Sequence, residues 1–309
     1  MIPVNSVLQV GFFPEIMQDE VLRRLTPVMM PDPQGPIPKK DVQAILTRPS
    51  YPITPTLLDQ LAQVKMIACC GVGYDNLPLD YLRQKGIMAS NTPGVLNDAV
   101  CELTIGMLFA LLRQIPRAHE FVSKKHWVNG AFPFTTSLAG KTIGIVGMGR
   151  IGQELADRLK AFKVKIAYHG PRDKHLPYPY ISSLVELAKW SDVLILCCPG
   201  GKETERMIHK EVLDALGPSS YLINVARGSV VNESDLLFAL QNQIIAGAAL
   251  DVFENEPNLD PQFLELSNVL LTPHIGSATQ ETRQAMTNLA IDNLDAFFNQ
   301  RPLPTPIAM

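Results

Sequence analysis

Three glycines, Gly147, Gly149 and Gly152, follow an apolar run at Thr142–Val146 and open a segment with helical periodicity, Ile151–Phe162. A strand that turns on glycine into a helix constrains a chain strongly. The strand needs parallel neighbours for its backbone, and the helix must cover one face of their sheet. The sequence repeats that alternation throughout. Strands are expected at Val7–Phe13, Gln43–Arg48, Lys65–Cys70 and Ile87–Ser90, with helices at Glu15–Leu25, Thr56–Val64 and Leu79–Lys85 and a proline-rich loop at Pro31–Pro38. A long apolar helix should run from Asn97, a residue suited to an N-cap, to about Ile115, with Pro116 marking its end. The stretch from there to Ala139 reads as an irregular arm rich in aromatics: Phe121, Trp127, Phe132 and Phe134. Such an arm is either a loop on its own domain or a contact to a second copy.

From Lys141 onward, strands are expected at Thr142–Gly147, Lys165–His169, Asp192–Cys198, Tyr221–Val225, Ile245–Val252 and Val269–Thr272. Helices fit at Ile151–Phe162, Leu184–Lys189, Lys210–Leu216, Glu233–Leu240 and Pro261–Leu266, and a last one at Thr279–Asn299. The fold class is therefore α/β: a Rossmann-type doubly wound parallel sheet plus a smaller, flavodoxin-like α/β domain. The expected division is residues 98–278 for the doubly wound domain, and 1–97 with 279–309 for a discontinuous second domain.

In this context the glycine loop predicts a dinucleotide site. Gly147 permits the tight turn, Gly149 lets the backbone approach a pyrophosphate, and Gly152 lets helix and strand pack closely. The helix start at Arg150 and Ile151 offers free N–H groups and partial positive charge to the phosphates. An Asp or Glu at the tip of the next strand would hold the 2′-hydroxyl of NAD. Here that strand runs Tyr168-His169-Gly170-Pro171-Arg172. His169 and Arg172, with Arg150, suit a 2′-phosphate, so NADP(H) is the preferred cofactor. NAD(H) remains open through Asp173.

Composition removes other classes. The formal net charge is −3, from 27 basic and 30 acidic residues, without the basic surplus of a nucleic-acid binder. No apolar run approaches the roughly 20 residues of a membrane span, and no secretory signal is legible at the N-terminus. The cysteines, Cys69, Cys70, Cys101, Cys197 and Cys198, are odd in number and mostly adjacent in apolar runs. They read as reduced thiols of a cytoplasmic protein, and no CxxC or HxxxH spacing suggests a metal. His119, His126, His175 and His209 read as structural or surface histidines, and Tyr74 as core packing or a pocket wall alike.

Three segments end predicted strands: Asn224-Val-Ala-Arg-Gly-Ser-Val-Val, Leu250-Asp-Val-Phe-Glu-Asn-Glu-Pro and Leu271-Thr-Pro-His-Ile-Gly-Ser-Ala-Thr. Doubly wound sheets bind ligands at that edge. With the glycine loop and Gly71-Val-Gly-Tyr-Asp-Asn, the set resembles the D-isomer-specific 2-hydroxyacid dehydrogenases over nearly the whole chain. Thr92-Pro-Gly-Val-Leu-Asn-Asp-Ala-Val, Cys198-Pro-Gly-Gly and Pro-His-Ile-Gly-Ser resemble the glyoxylate/hydroxypyruvate reductase branch.

The resemblance implies an NADPH-dependent reductase of a small 2-oxo acid. Arg227 would orient the substrate, His274 would donate the proton and contact the substrate, and Glu256 would be the histidine's carboxylate partner, in preference to Glu254. Val72 and Gly73 would offer backbone N–H groups to the substrate carboxylate. Asp251 would meet the nicotinamide carboxamide. Val225 and Gly276 would line the nicotinamide, with Cys198, Pro199 and Thr104 also near the cofactor. The formate-oxidising branch carries glutamine at the Glu256 position, so the glutamate points away from that activity. The resemblance also implies a homodimer; domain closure is expected because the Gly71–Asn76 loop and the dinucleotide loop fall in different predicted domains, and an end near Met309 is expected to leave no room for the C-terminal regulatory domain of many phosphoglycerate dehydrogenases. Reduction of 2-ketogluconate or an aryl-pyruvate is the rival within the class. A dinucleotide-sensing scaffold of the corepressor kind is the rival outside it, and such scaffolds often carry low-complexity tails that this sequence lacks. The Cys69-Cys70 pair before Gly71 leaves the size of the substrate pocket open.

Overall fold

The computed structural model describes residues 2–39 and 41–309. The chain divides into two compact units, one of the residues up to Leu96 together with Ala278 onward, the other Asn97–Ser277.

The first unit holds a parallel sheet of five strands, β1 (Val7–Val10), β2 (Val28–Met30), β3 (Ala44–Thr47), β4 (Met66–Cys69) and β5 (Met88–Ser90), in the order β2-β1-β3-β4-β5. That is the flavodoxin-type order. Helices α1 (Glu15–Arg24), α2 (Pro55–Asp59) and α3 (Leu79–Lys85) connect the strands, and α10 (Gln280–Phe298) returns to pack on α1 and β4. β2 escapes the sequence reading because it is a three-residue edge strand between Pro27 and Pro31. Leu8, Ile45 and Ile67 are fully buried in one cluster, as expected for strands covered on both faces.

The second unit begins with α4 (Asn97–Leu112), of which Asn97 is the first residue rather than a cap outside it. Pro116 does not end the structured segment. The chain breaks at Gln114, in the left-handed region, and Pro116 lies in the first turn of α5 (Ile115–Ser123), where a missing N–H costs nothing. No single described helix is long and apolar enough to cross a membrane; α4 and α5 pass that test only together, across a 58° bend.

The sheet of this unit comprises β6 (Thr142–Val146), β7 (Lys165–His169), β8 (Val193–Leu196), β9 (Tyr221–Asn224), β10 (Gly247–Leu250) and β11 (Val269–Leu271). All pairs are parallel, in the order β11-β10-β9-β8-β6-β7. An isolated bridge from Tyr168 to Tyr180 lies where a doubly wound sheet would carry another edge strand. Helices α6 (Arg150–Leu159), α7 (Leu184–Trp190), α8 (Lys210–Leu216) and α9 (Glu233–Gln241) connect the strands, while the segment before β11 forms only a 3-10 turn, Pro261–Glu265. Successive residues feed opposite faces: Leu194, Leu196 and Leu222 join one core cluster, Val193, Ile195 and Ile223 the other. Register sets the site. Val146 pairs with Leu196, Leu196 with Asn224, Asn224 with Leu250, and Leu250 with Leu271. Five strands thus end in one row, and the loops after them leave the sheet side by side.

Candidate active site

The glycine loop leaves the first strand of that row. Gly147 has φ of 95°, and a Cβ there would lie 2.5 Å from the Cys198 backbone nitrogen. A Cβ at Gly152 would meet the Gly147 carbonyl oxygen at 2.3 Å, so only glycine lets α6 start this close to β6. At Gly149, the N-cap of α6, a Cβ would meet nothing within 4 Å. The helix N-terminus is therefore open where a pyrophosphate would approach, and the residues present fit a dinucleotide. Arg150 is exposed there, and Ile151 packs into the core.

At the tip of β7, Asp173 is already engaged. It accepts hydrogen bonds from the Tyr168 hydroxyl at 2.6 Å and from the His175 amide at 2.8 Å, which hold its carboxyl below the usual range. His169 binds the Ile181 carbonyl through Nδ1, 3.0 Å away, leaving Nε2 free of that contact. Arg172 is exposed. Lys174 donates from Nζ to the Met148 carbonyl at 2.9 Å, beside the glycine loop. Sequence reading passed over this cation; its place two residues beyond Arg172 was the available signal. Thr104 is fully buried on α4, and its hydroxyl donates to the Val100 carbonyl one turn back, at 2.6 Å. Cys198 is buried against the Gly147 turn, with its thiol pushed up to about 11 by burial, and Pro199 follows it with its carbonyl accepting from the Thr204 hydroxyl. Val225 is partly buried at the end of β9.

Arg227 stands on a turn that Asn224 pins at both sides. The Asn224 side chain accepts from the Ala226 amide and donates to the Arg227 carbonyl, each at 3.0 Å. Gly228 follows because nothing larger fits: a Cβ would lie 1.9 Å from the Phe253 carbonyl carbon. That close approach brings Arg227 beside the loop after β10, where its charge bears on Glu256. Glu256 shares a 2.6 Å hydrogen bond between Oε2 and His274 Nδ1, and Oε1 accepts from the Phe253 amide at 3.0 Å. Burial raises the Glu256 pKa, but the His274 hydrogen bond and charge, the Phe253 amide and Arg227 outweigh it, leaving the carboxyl below its ordinary value. Glu254 is committed elsewhere, paired with Arg206 at 2.6 Å.

The loop after β11 is fixed by Asp251, which is 2% exposed. Its carboxylate accepts from the Thr272 hydroxyl at 2.6 Å and from the Ile275 and Gly276 amides at 2.8 Å each. The chain bracketed by these bonds holds His274 at φ 52°, a left-handed conformation rare for a non-glycine residue. Asp251 therefore positions the histidine loop, a role missed in the sequence although Asp251 itself was singled out. An apolar cavity of about 250 Å³ lies beside the pair, lined among others by Phe253, Leu259, Leu264 and Pro273. No group of three or more metal-ligating side chains assembles among the described residues.

In the first unit, Val72 and Gly73 follow the end of β4. The Asn91 side chain donates to the Val72 carbonyl at 2.8 Å and the Cys69 thiol faces the Gly73 carbonyl at 3.7 Å. Neither residue's N–H meets a hydrogen-bond acceptor among the described residues. Two successive free N–H groups on a pinned turn form a concavity suited to an anion.

The family model for the D-isomer specific 2-hydroxyacid dehydrogenase NAD binding domain matches residues 105–276. Hydroxyphenylpyruvate reductase of Plectranthus scutellarioides is 40% identical over 269 residues, 87% of this chain and 86% of the relative. A 2-ketogluconate reductase of Gluconobacter oxydans is 40% identical over 267 residues, covering 86% of each. The crystal structure of an NADPH-dependent glyoxylate/hydroxypyruvate reductase from Sinorhizobium meliloti, in complex with NADP and malonate, superposes with a TM-score of 0.92 at 39% identity. It covers 98% of this chain and 96% of that one.

Proposed function

Since the chain belongs to the D-isomer-specific 2-hydroxyacid dehydrogenases, we propose that it reduces glyoxylate, hydroxypyruvate or a similarly small 2-oxo acid to the D-2-hydroxy acid with NADPH. One observation carries the reading: the 2.6 Å His274–Glu256 pair on the strand-end row it shares with Arg227 and the glycine loop. When bound, the reduced nicotinamide supplies the hydride that the carbonyl carbon receives. His274 keeps Nδ1 on Glu256 and presents Nε2 as the donor of the proton to the carbonyl oxygen. Glu256, held against Nδ1, fixes the orientation of the ring that makes this transfer possible. Arg227 holds the 2-oxo acid by its planar fork and polarises the carbonyl, and Val72 and Gly73 seat the carboxylate by their free N–H groups. His169, Arg172, Lys174 and Arg150 receive the 2′-phosphate, supported by the engagement of Asp173 with Tyr168. NADH serves as the weaker cofactor. Asp251 keeps its place against the nicotinamide by holding Gly276.

The relatives named above include a hydroxyphenylpyruvate reductase and a 2-ketogluconate reductase, so an aryl-pyruvate or 2-ketogluconate substrate is the second reading; the apolar cavity beside His274 favours the aryl-pyruvate of the two. A homodimer through the arm is supported by exposed aromatics: Trp127 and Phe134 are 68% and 104% exposed. All five cysteines are free, which suits the reducing cytoplasm.

Oxidation of NADPH followed at its absorbance maximum, with glyoxylate, hydroxypyruvate, 2-ketogluconate and an aryl-pyruvate, tests the proposal. Turnover of a small 2-oxo acid with a clear preference over NADH is expected. Binding of NADPH without turnover of any of them would leave the scaffold reading instead. Glu256→Gln provides a sharper check. Glutamine can still accept from Nδ1 but carries no charge, so a charge-assisted hydrogen bond becomes a neutral one and kcat/KM for reduction should fall by roughly tenfold. An unchanged kcat/KM would exclude the coupling.

A further inference from the structure

The C-terminal edge of the first unit's sheet carries charge that its own fold leaves without an anion. Thr47 pairs with Cys69 in the β3–β4 ladder, and the Cys70 amide donates to the Thr47 carbonyl at 2.7 Å, so Arg48 and Cys70 leave the sheet side by side. Cys70 is fully buried, with its thiol 4.0 Å from the Thr287 hydroxyl on α10. Thr287 in turn donates to the carbonyl of Arg283, one turn earlier. Arg283 is thus brought to the same strand ends as Arg48, and Gly71 follows immediately.

Among the described residues, neither guanidinium is paired with a carboxylate. Arg48 spends one N–H on the Phe12 carbonyl, at 3.0 Å, and Arg283 makes no side-chain hydrogen bond or ion pair among the described residues. Both side chains are partly buried. Burial first, and then the charge of Arg48, lower the affinity of Arg283 for its proton. Arg283 also lies in the first turns of α10, at the positive end of the helix dipole, so helix formation disfavours a cation there. Partly desolvated like charges without a counter-ion destabilise a fold unless a ligand supplies the anion. The planar forks suit a carboxylate or a phosphate ester.

We infer that Arg48 and Arg283 form a second anion site beside the Gly71–Gly73 loop, which selects 2-oxo acids bearing a further carboxylate or phosphate group. The inference rests on the 2-oxo acid reading of the loop and narrows it. The loop takes the carboxylate next to the carbonyl, and the arginine pair takes the distal anion.

Two readouts test it. The first is kcat/KM with NADPH for oxaloacetate and for the phosphate ester of hydroxypyruvate, each divided by that for glyoxylate. Losing a charged hydrogen bond should lower one or both ratios by roughly tenfold or more in Arg48→Met and in Arg283→Met, and the substrate whose ratio falls further identifies the distal group as carboxylate or phosphate. Ratios unchanged in both variants would overturn the site while leaving glyoxylate reduction standing. The second needs no turnover: malonate should raise the melting temperature of the wild-type protein more than acetate at equal ionic strength. That difference should shrink in both variants and survive in part in Arg48→Lys. Equal shifts with malonate and acetate in the wild type would refute the site even if every 2-oxo acid is reduced. Absence of all reduction with a malonate-specific shift retained would refute only the activity.

Discussion

Replacing His274 by alanine is expected to lower kcat for 2-oxo acid reduction by roughly 10²- to 10⁴-fold, the usual contribution of a positioned proton donor. Dinucleotide affinity should stay near the wild-type value. The two effects separate because the histidine sits on the loop after β11, whereas the turn proposed to meet the phosphates follows β6, at a different strand of the sheet. The positive φ at this position makes the replacement informative in a second way. Alanine in a left-handed conformation costs about as much as histidine, so the loop has no strain to release that would compensate for the lost imidazole. Steady-state rates together with fluorescence titration of NADPH decide the matter. Near-normal turnover would remove His274 from the mechanism, and loss of NADPH binding in proportion to rate would make it a structural residue.

Gly228→Ala should be nearly as damaging, although the residue has no functional group. The added Cβ would fall 1.9 Å from the Phe253 carbonyl carbon and 2.0 Å from its oxygen, distances that no rotamer can relieve because both partners are backbone. The turn carrying Arg227 must then move away from the loop carrying Glu256. Overpacking of this kind costs about 1–3 kcal/mol or more, which lowers the melting temperature by several degrees in a chain of this size. Activity should fall by more than stability alone explains, by about a hundredfold under conditions where the variant is fully folded, since a misplacement of about 1 Å at the group proposed to orient the substrate has that order of effect. A folded variant with wild-type kcat and KM would show that the contact between the two loops is dispensable.

The alternation of strands and helices and the glycine loop were legible in the sequence, because each rests on a local pattern: an apolar run or a glycine at a forced turn can be recognised without knowing what surrounds it. Arg227, Glu256 and His274 were singled out through the motifs that resemble a known family, since no local pattern distinguishes one histidine from another. What escaped was either too short to show a period or set by contacts and backbone conformations that no residue pattern announces. β2 is too short and too close to prolines to show a period. Pro116 reads as a stop, since nothing local reveals that a left-handed Gln114 lets a second helix begin there. The part Asp251 plays in fixing the histidine loop has no local signal, because its three donors lie 21 to 25 residues away, at Thr272, Ile275 and Gly276. Lys174 was one of several basic residues in a loop, and only the carbonyl of Met148 distinguishes it.

The common row of strand ends in the second unit has a consequence for how such a molecule can diversify. Val146, Leu196, Asn224, Leu250 and Leu271 stand in mutual register, and each is followed by its own loop. Strand pairing keeps the origins of those loops fixed whatever their length. Lengthening or rewriting one of them changes a single chemical group against a constant frame, much as one tool is exchanged in a rack whose other slots stay put. Chemistry and substrate choice can then be inherited separately, and the sheet needs no redesign when either one changes.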